Sequence, residues 1–187
     1  IVRPVLLVEN FFAIAGERFN GHAFVADALK GGAALAVVEA DRAGDVGEVG
    51  PLLVVPDVLE ALRALGRAAR ARAKAKIVAV TGSVGKTSTK EALKAALGAF
   101  GHAYASQGNL NNHWGAPLSL ARMPRDAEFG VFELGMNHAN EITPLSRLVK
   151  PAVSIITNFE AVHIEFFNSF SEIADAKSQI MDRMEPS

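Results

Sequence analysis

The chain contains 187 residues, with 19 Lys and Arg against 20 Asp and Glu, which gives a formal net charge of -1. This balance removes the electrostatic case for bulk nucleic-acid binding, and a hydrophobic fraction of 50% argues against a wholly disordered chain. Cysteine is absent, which excludes disulfides, thiolate metal ligands and a cysteine nucleophile. No apolar run approaches the roughly 18 residues that a membrane-spanning helix needs. We therefore expect a cytoplasmic globular protein that binds neither nucleic acid nor membrane.

The first third of the chain predicts a small α/β domain, because short apolar runs alternate with glycine-rich turns. A strand is expected at residues 11–15 and a short helix at 23–30, where Gly31-Gly32 is typical of a helix end. Two buried strands are expected at 35–38 and 52–55.

A long helix is predicted next, with Asp57 as its N-cap and Glu60 three residues later, as in a capping box. We place the domain boundary near the end of this helix, around residue 75. Residues 1–75 would then form the first domain and residues 76–187 the second.

The second segment alternates strands and helices more regularly than the first. Strands are predicted at 77–80, 129–134 and 153–157, and helices at 86–100, 141–149 and 171–184, the last with Ser171 as N-cap. This alternation favours an α/β fold with a mostly parallel, doubly wound sheet covered by helices.

The sharpest motif is a glycine-rich turn between a buried strand and a helix. It comprises Thr81, Gly82, Ser83, Val84, Gly85, Lys86, Thr87 and Ser88. Glycines allow several N–H groups to point into one concavity, the lysine neutralises phosphate oxygens, and the threonine hydroxyl suits Mg²⁺. The strict phosphate-loop pattern wants glycine where Val80 stands, so this is a shortened variant. The alternative is an ordinary glycine-rich turn.

Polar residues also follow the predicted strands, where ligands bind in doubly wound sheets. Glu133 lies at one strand end and His163 follows the next strand, so both are candidate metal ligands. Taken alone, Glu133 is more typical of a cap or an ion-pair partner, and His163 of a surface or core histidine. Their positions relative to the glycine loop favour the metal site for both. His138 is a weaker candidate, and Lys177 taken alone is typical of a solvated helix face.

A polar loop at 108–117 contains Asn109, Asn111 and Asn112. Three asparagines in four positions suit a turn, and amide contact with a ligand is the functional alternative. Trp114, the only tryptophan, could serve packing alone.

Five segments, in this order and spacing, resemble the ATP-dependent Mur ligases. They are A-G-E-R-F-N-G-H-A-F with G-G-A-A-L-A-V-V, T-G-S-V-G-K-T, G-N-L-N-N-H-W-G-A-P, E-L-G-M-N-H and N-F-E-A-V-H-I-E-F-F. The resemblance implies a three-domain cytoplasmic enzyme of peptidoglycan synthesis. It is strongest for the member that uses ATP and Mg²⁺ to join D-alanyl-D-alanine to UDP-N-acetylmuramoyl-tripeptide through an acyl phosphate. The first domain would bind the UDP-sugar and the second ATP, and we expect a monomer.

The resemblance also implies residue roles. The loop residues would bind the ATP phosphates, and Thr87 and Glu133 would bind Mg²⁺. A second Mg²⁺ would be held by His163 and by Lys177, which family members often carbamylate. Asn111 and Asn112 would line the active site, and Gly21 and His22 would lie near the UDP-sugar. Lys86, Asn112, His163 and Lys177 are the expected catalytic residues.

The chain departs from the family pattern in its first twenty residues. Ile1-Val2-Arg3 stands where the family has Asp-Ser-Arg, Leu7-Val8 stands for Pro-Gly, and Asn20 replaces Asp. The chain begins without Met and lacks the family's C-terminal domain, so we expect a fragment that is inactive alone. The ligase that adds the third peptide residue, a P-loop kinase or NTPase, and a non-catalytic nucleotide-binding module are the alternatives.

Overall fold

The computed structural model describes most of the chain, namely residues 10–16, 20–47, 49–160 and 169–182. Two compact units divide between Leu62 and Arg63, inside the long helix, whereas the sequence predicts the boundary near residue 75. The later turns of that helix belong to the second unit, because Arg70 donates from Nε to the Val149 carbonyl at 2.7 Å. Within the described ranges, no helix is both long and apolar enough to cross a membrane.

The first unit contains a three-stranded parallel sheet in the order β1 (Asn10–Phe12), β2 (Leu35–Glu39), β3 (Leu52–Val55). Helix α1 (Val25–Lys30) ends just before the predicted glycine pair and contacts β1 and β2. The core is apolar and includes Ala13, Val25, Ala36 and Val38. Strand β1 is shorter than predicted, because the chain turns back after Ala13 and the Gly21 N–H donates to the Ile14 carbonyl at 3.0 Å.

Helix α2 spans Val58–Arg72. Asp57 Oδ1 accepts the Glu60 N–H at 2.8 Å, so the predicted N-cap is confirmed. In the later half of α2, a Cβ on Gly66 would come within 2.9 Å of Pro117, so glycine permits this close packing.

The second unit contains a four-stranded parallel sheet in the order β5-β6-β4-β7. Its elements, in chain order, are β4 (Lys76–Thr81), α3 (Lys86–Leu97), β5 (Ala103–Ala105), α4 (Gly115–Arg122), β6 (Phe129–Glu133), α5 (Ile142–Val149), β7 (Val153–Ile156) and α6 (Phe170–Ser178). The chain extends the sheet on one side of β4 and then adds β7 on the other. The carboxyl end of β4 is therefore next to the point where the strand order reverses, which is where doubly wound sheets bind ligands.

Helices cover both faces of this sheet, because successive strand residues point to opposite sides. On one face, Ile77 and Ala79 of β4 belong to a core shared with α4 and α5, which contribute Ala116, Leu120, Ile142, Leu145 and Val149. On the other face, Val78 and Val80 join Leu93 and Leu97 of α3. The predicted doubly wound α/β fold is confirmed.

Two elements of the second unit were not predicted. Strand β5 has only three residues, too few to show an alternating pattern. Helix α4 begins at Gly115, inside the segment predicted to be a polar loop, with Pro117 in its first turn, where a missing N–H is tolerated.

Several helix ends also differ from the prediction: α1 begins at Val25 instead of residue 23, and α6 ends at Ser178 instead of residue 184. Helix α3 ends at Leu97 rather than residue 100, because Gly98 follows it. Helix α6 begins at Phe170, with Ser169 as N-cap instead of Ser171. Ser169 Oγ accepts the Glu172 N–H at 3.2 Å, so the N-cap lies two residues earlier than predicted.

Candidate active site

The shortened glycine loop, residues 82–85, joins the carboxyl end of β4 to the first turn of α3. Gly82 has a φ of 145° and Gly85 a φ of 81°, both in the region that favours glycine. Because Lys86 begins α3, loop N–H groups and the positive end of the helix dipole lie at one edge of the sheet. The local structure predicted from the motif is present.

Lys86 brings its ammonium group onto the loop itself. Its Nζ donates to the Gly82 carbonyl at 2.8 Å and to the Ser83 carbonyl at 3.3 Å. An anion bound by the loop would therefore meet both peptide N–H groups and a cation. The other predicted loop residues differ in exposure, with Thr81 buried and Val84, Thr87 and Ser88 exposed.

Asn158, just after β7, holds the glycine loop from the other side. Its Oδ1 accepts the Ser83 N–H at 3.1 Å and the Val84 N–H at 3.0 Å. Thr157 Oγ1 donates to the Val84 carbonyl at 2.6 Å, and Ser83 Oγ accepts the Glu160 N–H at 2.8 Å. Asn158 was not predicted as a site residue, although its position after a buried strand was an available signal.

Glu133 ends β6 beside the first turn of α3, and only 3% of its surface is exposed. Thr87 Oγ1 donates to its Oε2 at 2.8 Å, and Asn111 Nδ2 donates to its Oε1 at 2.8 Å. The resulting carboxylate and hydroxyl oxygens suit a hard cation such as Mg²⁺. Among the described residues, no cluster of three His, Cys, Asp or Glu side chains could hold a metal ion.

The two predicted asparagines have different positions. Asn111 lies beside β6, where its carbonyl accepts the Gly135 N–H at 2.8 Å. A Cβ on Gly135 would come within 2.9 Å of the Asn111 side chain, so glycine permits this approach. Asn112 Oδ1 instead accepts the Gly115 N–H at 2.8 Å at the start of α4. Substrate contact by Asn112 stays a prediction.

An open cleft lies at this edge of the sheet, lined by Gly82, Ser83, Lys86, Asn111, Gly135, Met136, Asn137 and Lys177. The fold thus brings Lys177 of α6 to the same cleft as the glycine loop, which the spacing along the chain did not indicate. Lys177 is only 3% exposed. Burial and then the nearby charge of Lys86 lower the pKa of Lys177 to about 8.

The two histidine candidates near the strand ends are His163 and His138. His163 lies outside the described residues. The backbone N–H groups of Asn137 and His138 donate to Glu141 Oε2, at 2.7 and 3.2 Å, which fixes the turn after β6. A role for His138 in binding stays a prediction.

In the first unit, Gly21 and His22 have clear packing roles. A Cβ on Gly21 would come within 2.6 Å of the Ile14 carbonyl. His22 Nε2 accepts the Glu39 N–H at 3.0 Å, which places the ring proton on Nδ1, where it donates to Asn20 Oδ1 at 3.1 Å. Asn20 also accepts the His22 backbone N–H, so an amide supplies the acceptor that the family's Asp would offer. A UDP-sugar contact stays a prediction.

Replacing Gly82 with alanine should destabilise the second unit more than replacing Gly85. The new methyl at 82 would overlap the Thr157 hydroxyl, and the backbone φ is positive. We expect a loss of about 2–4 kcal/mol in the free energy of unfolding. Gly85→Ala, which has a positive φ but open space, should cost about 1–2 kcal/mol. Urea unfolding of both variants tests this, and equal losses would contradict it.

Comparison with known proteins extends these observations. The sequence model of the Mur ligase middle domain family matches residues 80–187. The UDP-N-acetylmuramoyl-tripeptide–D-alanyl-D-alanine ligase of Rickettsia prowazekii is 42% identical over 92% of this chain and 38% of its own length. The Escherichia coli ligase of the same name is 38% identical over 91% of this chain and 37% of its own length.

Solved structures of ligases with the same kind of name are also similar to this chain. A crystal structure of MurF from Acinetobacter baumannii superimposes with a TM-score of 0.84 at 37% identity, covering 96% of this chain and 40% of that one. MurF ligase from Thermotoga maritima in complex with ADP gives a TM-score of 0.77 at 30% identity, covering 94% of this chain and 40% of that one. The chain therefore spans well under half the length of its relatives.

The parallel sheet, the glycine loop at its reversal point and the buried carboxylate beside it are the arrangement of an α/β protein of the P-loop class. Together with the match over residues 80–187, they place the chain more narrowly. It belongs to the Mur ligase family.

Proposed function

We propose that this chain is part of an ATP-dependent ligase that adds D-alanyl-D-alanine to UDP-N-acetylmuramoyl-tripeptide. The observation that carries the proposal is the cleft in which Lys86, Asn111 and Lys177 meet the glycine loop. The Rickettsia prowazekii and Escherichia coli relatives that carry this ligase name are 42% and 38% identical to the chain over about nine-tenths of its length. The chain spans 38% of the length of the first of them, so the activity would belong to the longer protein. We further propose that the protein is a cytoplasmic monomer.

The proposed reaction has two steps. The terminal carboxylate of the tripeptide attacks the γ-phosphorus of ATP, the bond to the β-phosphate oxygen breaks, and ADP leaves. The dipeptide amine then attacks the acyl carbon and loses a proton, and inorganic phosphate leaves as the amide forms. Both steps depend mainly on alignment and on neutralising phosphate charge.

The residues of the cleft suit these requirements. When a phosphate binds, the Lys86 ammonium would donate to the phosphate oxygens instead of to the loop carbonyls. The N–H groups at the start of α3 would face the same phosphate. Thr87 and Glu133 would hold Mg²⁺, which supplies positive charge to the phosphate oxygens. Asn111 orients Glu133 by donating to its second oxygen.

We also propose that Lys177 is carbamylated. An unmodified ammonium would repel Mg²⁺, whereas carbamylation, in which the neutral amine adds CO₂ and releases a proton, makes the group an anion. A pKa of about 8 supports this, because a larger fraction of Lys177 is neutral near pH 8 than of an ordinary lysine. With His163, the carbamate would hold the second Mg²⁺.

Carbamylation predicts a specific signal in solution. With ¹³C-labelled bicarbonate and a fixed concentration of dissolved CO₂, a carbamate resonance should grow as the pH rises through about 8, because the neutral amine is the reacting form. Lys177→Met should abolish the resonance, and Lys94→Met, an exposed lysine, should leave it unchanged. A signal that survives Lys177→Met would contradict the proposal.

The ligase proposal is tested with the full-length protein, ATP and Mg²⁺. Phosphate release should require both UDP-N-acetylmuramoyl-tripeptide and D-alanyl-D-alanine, and omission of either should reduce it to background. Turnover with UDP-N-acetylmuramoyl-dipeptide and a single amino acid instead would identify the third-residue ligase. Turnover of ATP without any amine would identify a kinase or NTPase, and nucleotide binding without turnover a binding module. Any of these three results would refute the proposal.

A further inference from the structure

Lys90 is a lysine of α3 that is fully buried, with none of its surface exposed. Its Nζ donates to the Ser106 carbonyl at 2.7 Å and to the Gly108 carbonyl at 3.0 Å, and it lies 3.2 Å from Glu91 Oε1. An ammonium group has three N–H donors, so each has an acceptor here. Burial of a charge is costly unless it is paired in this way. The burial of Lys90 therefore indicates that its contacts matter for the fold or for the site.

The two carbonyls that Lys90 binds belong to the segment between β5 and α4. The same segment carries Asn111, which donates to Glu133 Oε1. Ser106 contributes a second link, because its Oγ accepts the Glu133 N–H at 3.2 Å. Lys90 therefore fixes the backbone on which both contacts to Glu133 depend.

Helix α3 completes this arrangement from its first turn. Thr87 lies three residues before Lys90, on the same side of the helix, and its hydroxyl donates to the other Glu133 oxygen. Glu133 is thus held by α3 in two ways, directly through Thr87 and indirectly through Lys90 and the segment 106–111.

We propose that Lys90 is a positioning residue for the metal-nucleotide site, acting through the segment 106–111 to orient Asn111 and Glu133. The inference rests on the proposed function only in requiring that the cleft binds Mg²⁺ with a nucleotide. Lys90 does not line the cleft and touches neither the nucleotide nor the metal. Its effect should appear in the Mg²⁺ dependence of binding.

The test measures ADP binding to the full-length protein by calorimetry over a range of Mg²⁺ concentrations. Lys90→Met keeps most of the length of the apolar stem and removes the charge. We expect it to raise the half-saturating Mg²⁺ concentration about 10-fold, at the lower end of the effect of outer contacts to metal ligands. Lys94→Met, one turn further along the same helix and exposed, should leave that concentration unchanged.

A double-mutant cycle separates positioning from simple stabilisation. If Lys90 acts through Asn111, Lys90→Met should add little to the Mg²⁺ shift of Asn111→Ala, whereas independent effects would multiply. Should Lys90→Met fail to fold, Lys90→Gln keeps two N–H donors without the charge. It should produce a smaller shift in the same direction.

The outcomes are distinct. A lowered melting temperature with an unchanged Mg²⁺ dependence would overturn the proposal and leave Lys90 a stabilising residue. A multiplicative effect with Asn111→Ala would also overturn it. If the wild-type protein binds Mg²⁺ and ADP but performs no ligation, the proposed function is refuted. The test of Lys90 remains valid in that case. Absence of any nucleotide binding would refute both.

Discussion

Replacing Lys86 with alanine is expected to lower the turnover of the full-length protein about 100- to 1000-fold, as the loss of one transition-state charge stabiliser typically does. The Lys86 ammonium already lies against the Gly82 and Ser83 carbonyls of the loop. We therefore expect Lys86 to be the cation closest to a triphosphate bound by the loop. Alanine leaves the loop N–H groups but removes the charge that would stabilise the transferred phosphoryl group.

Lys94→Ala is the matched control, because Lys94 lies on the same helix and is exposed. It should retain the turnover of the wild type. The measurement is phosphate release at saturating ATP and both other substrates, with nucleotide affinity measured separately. Equal turnover in Lys86→Ala and Lys94→Ala would show that Lys86 does not act on the reacting phosphate.

Glu133→Gln should have an effect of similar size, a loss of about 100-fold or more in turnover. Glu133 accepts hydrogen bonds at both carboxylate oxygens, from Thr87 and from Asn111. An amide has only one oxygen, so its NH₂ group must face one of these donors. The variant therefore loses a negative charge beside the proposed Mg²⁺ and disrupts the contacts that orient Thr87 and Asn111.

Glu128→Gln provides the control for that substitution. Glu128 directly precedes β6, whereas Glu133 ends it, so the two lie at opposite ends of one strand. Glu128 is exposed, and its substitution should leave turnover and Mg²⁺ dependence unchanged. Turnover assayed across Mg²⁺ concentrations distinguishes the cases. A Glu133→Gln protein with wild-type Mg²⁺ dependence would contradict the assignment of Glu133 to the metal site.

Local patterns in the sequence were sufficient to predict the positions of the glycine loop and of Glu133. The loop is contiguous, so its glycines, Lys86 and Thr87 are recognisable without knowledge of the fold. Glu133 was predictable because it ends a strand, and the carboxyl ends of parallel strands meet at one edge. The sheet was predictable because short apolar strand segments alternate with helical patterns, even though β5 and α4 were missed.

Other features depend on contacts between distant parts of the chain. Lys90 has the sequence context of a solvated helix lysine, and only the packing of the segment 106–108 reveals its burial. The low pKa of Lys177 likewise requires knowledge of its burial and of the distant Lys86. Asn158 holds loop N–H groups more than seventy residues earlier in the chain.

The division between the two units also depends on a contact between distant parts of the chain. The sequence predicts a boundary near the end of α2, around residue 75. In the structure the division lies within α2, since Arg70 binds the Val149 carbonyl of the second unit. No pattern along α2 reports a contact that is made with residues almost eighty positions away.

The central claim is that the terminal phosphoryl group of ATP passes to a carboxylate held at this cleft. The most direct measurement uses UDP-N-acetylmuramoyl-tripeptide labelled with ¹⁸O in its terminal carboxylate, together with ATP, Mg²⁺, D-alanyl-D-alanine and the full-length protein. Because the carboxylate oxygen becomes the bridge of the acyl phosphate, it leaves with the phosphate when the amine attacks. We predict that the released phosphate carries one ¹⁸O atom for each amide formed. Unlabelled phosphate with amide formation would contradict the account.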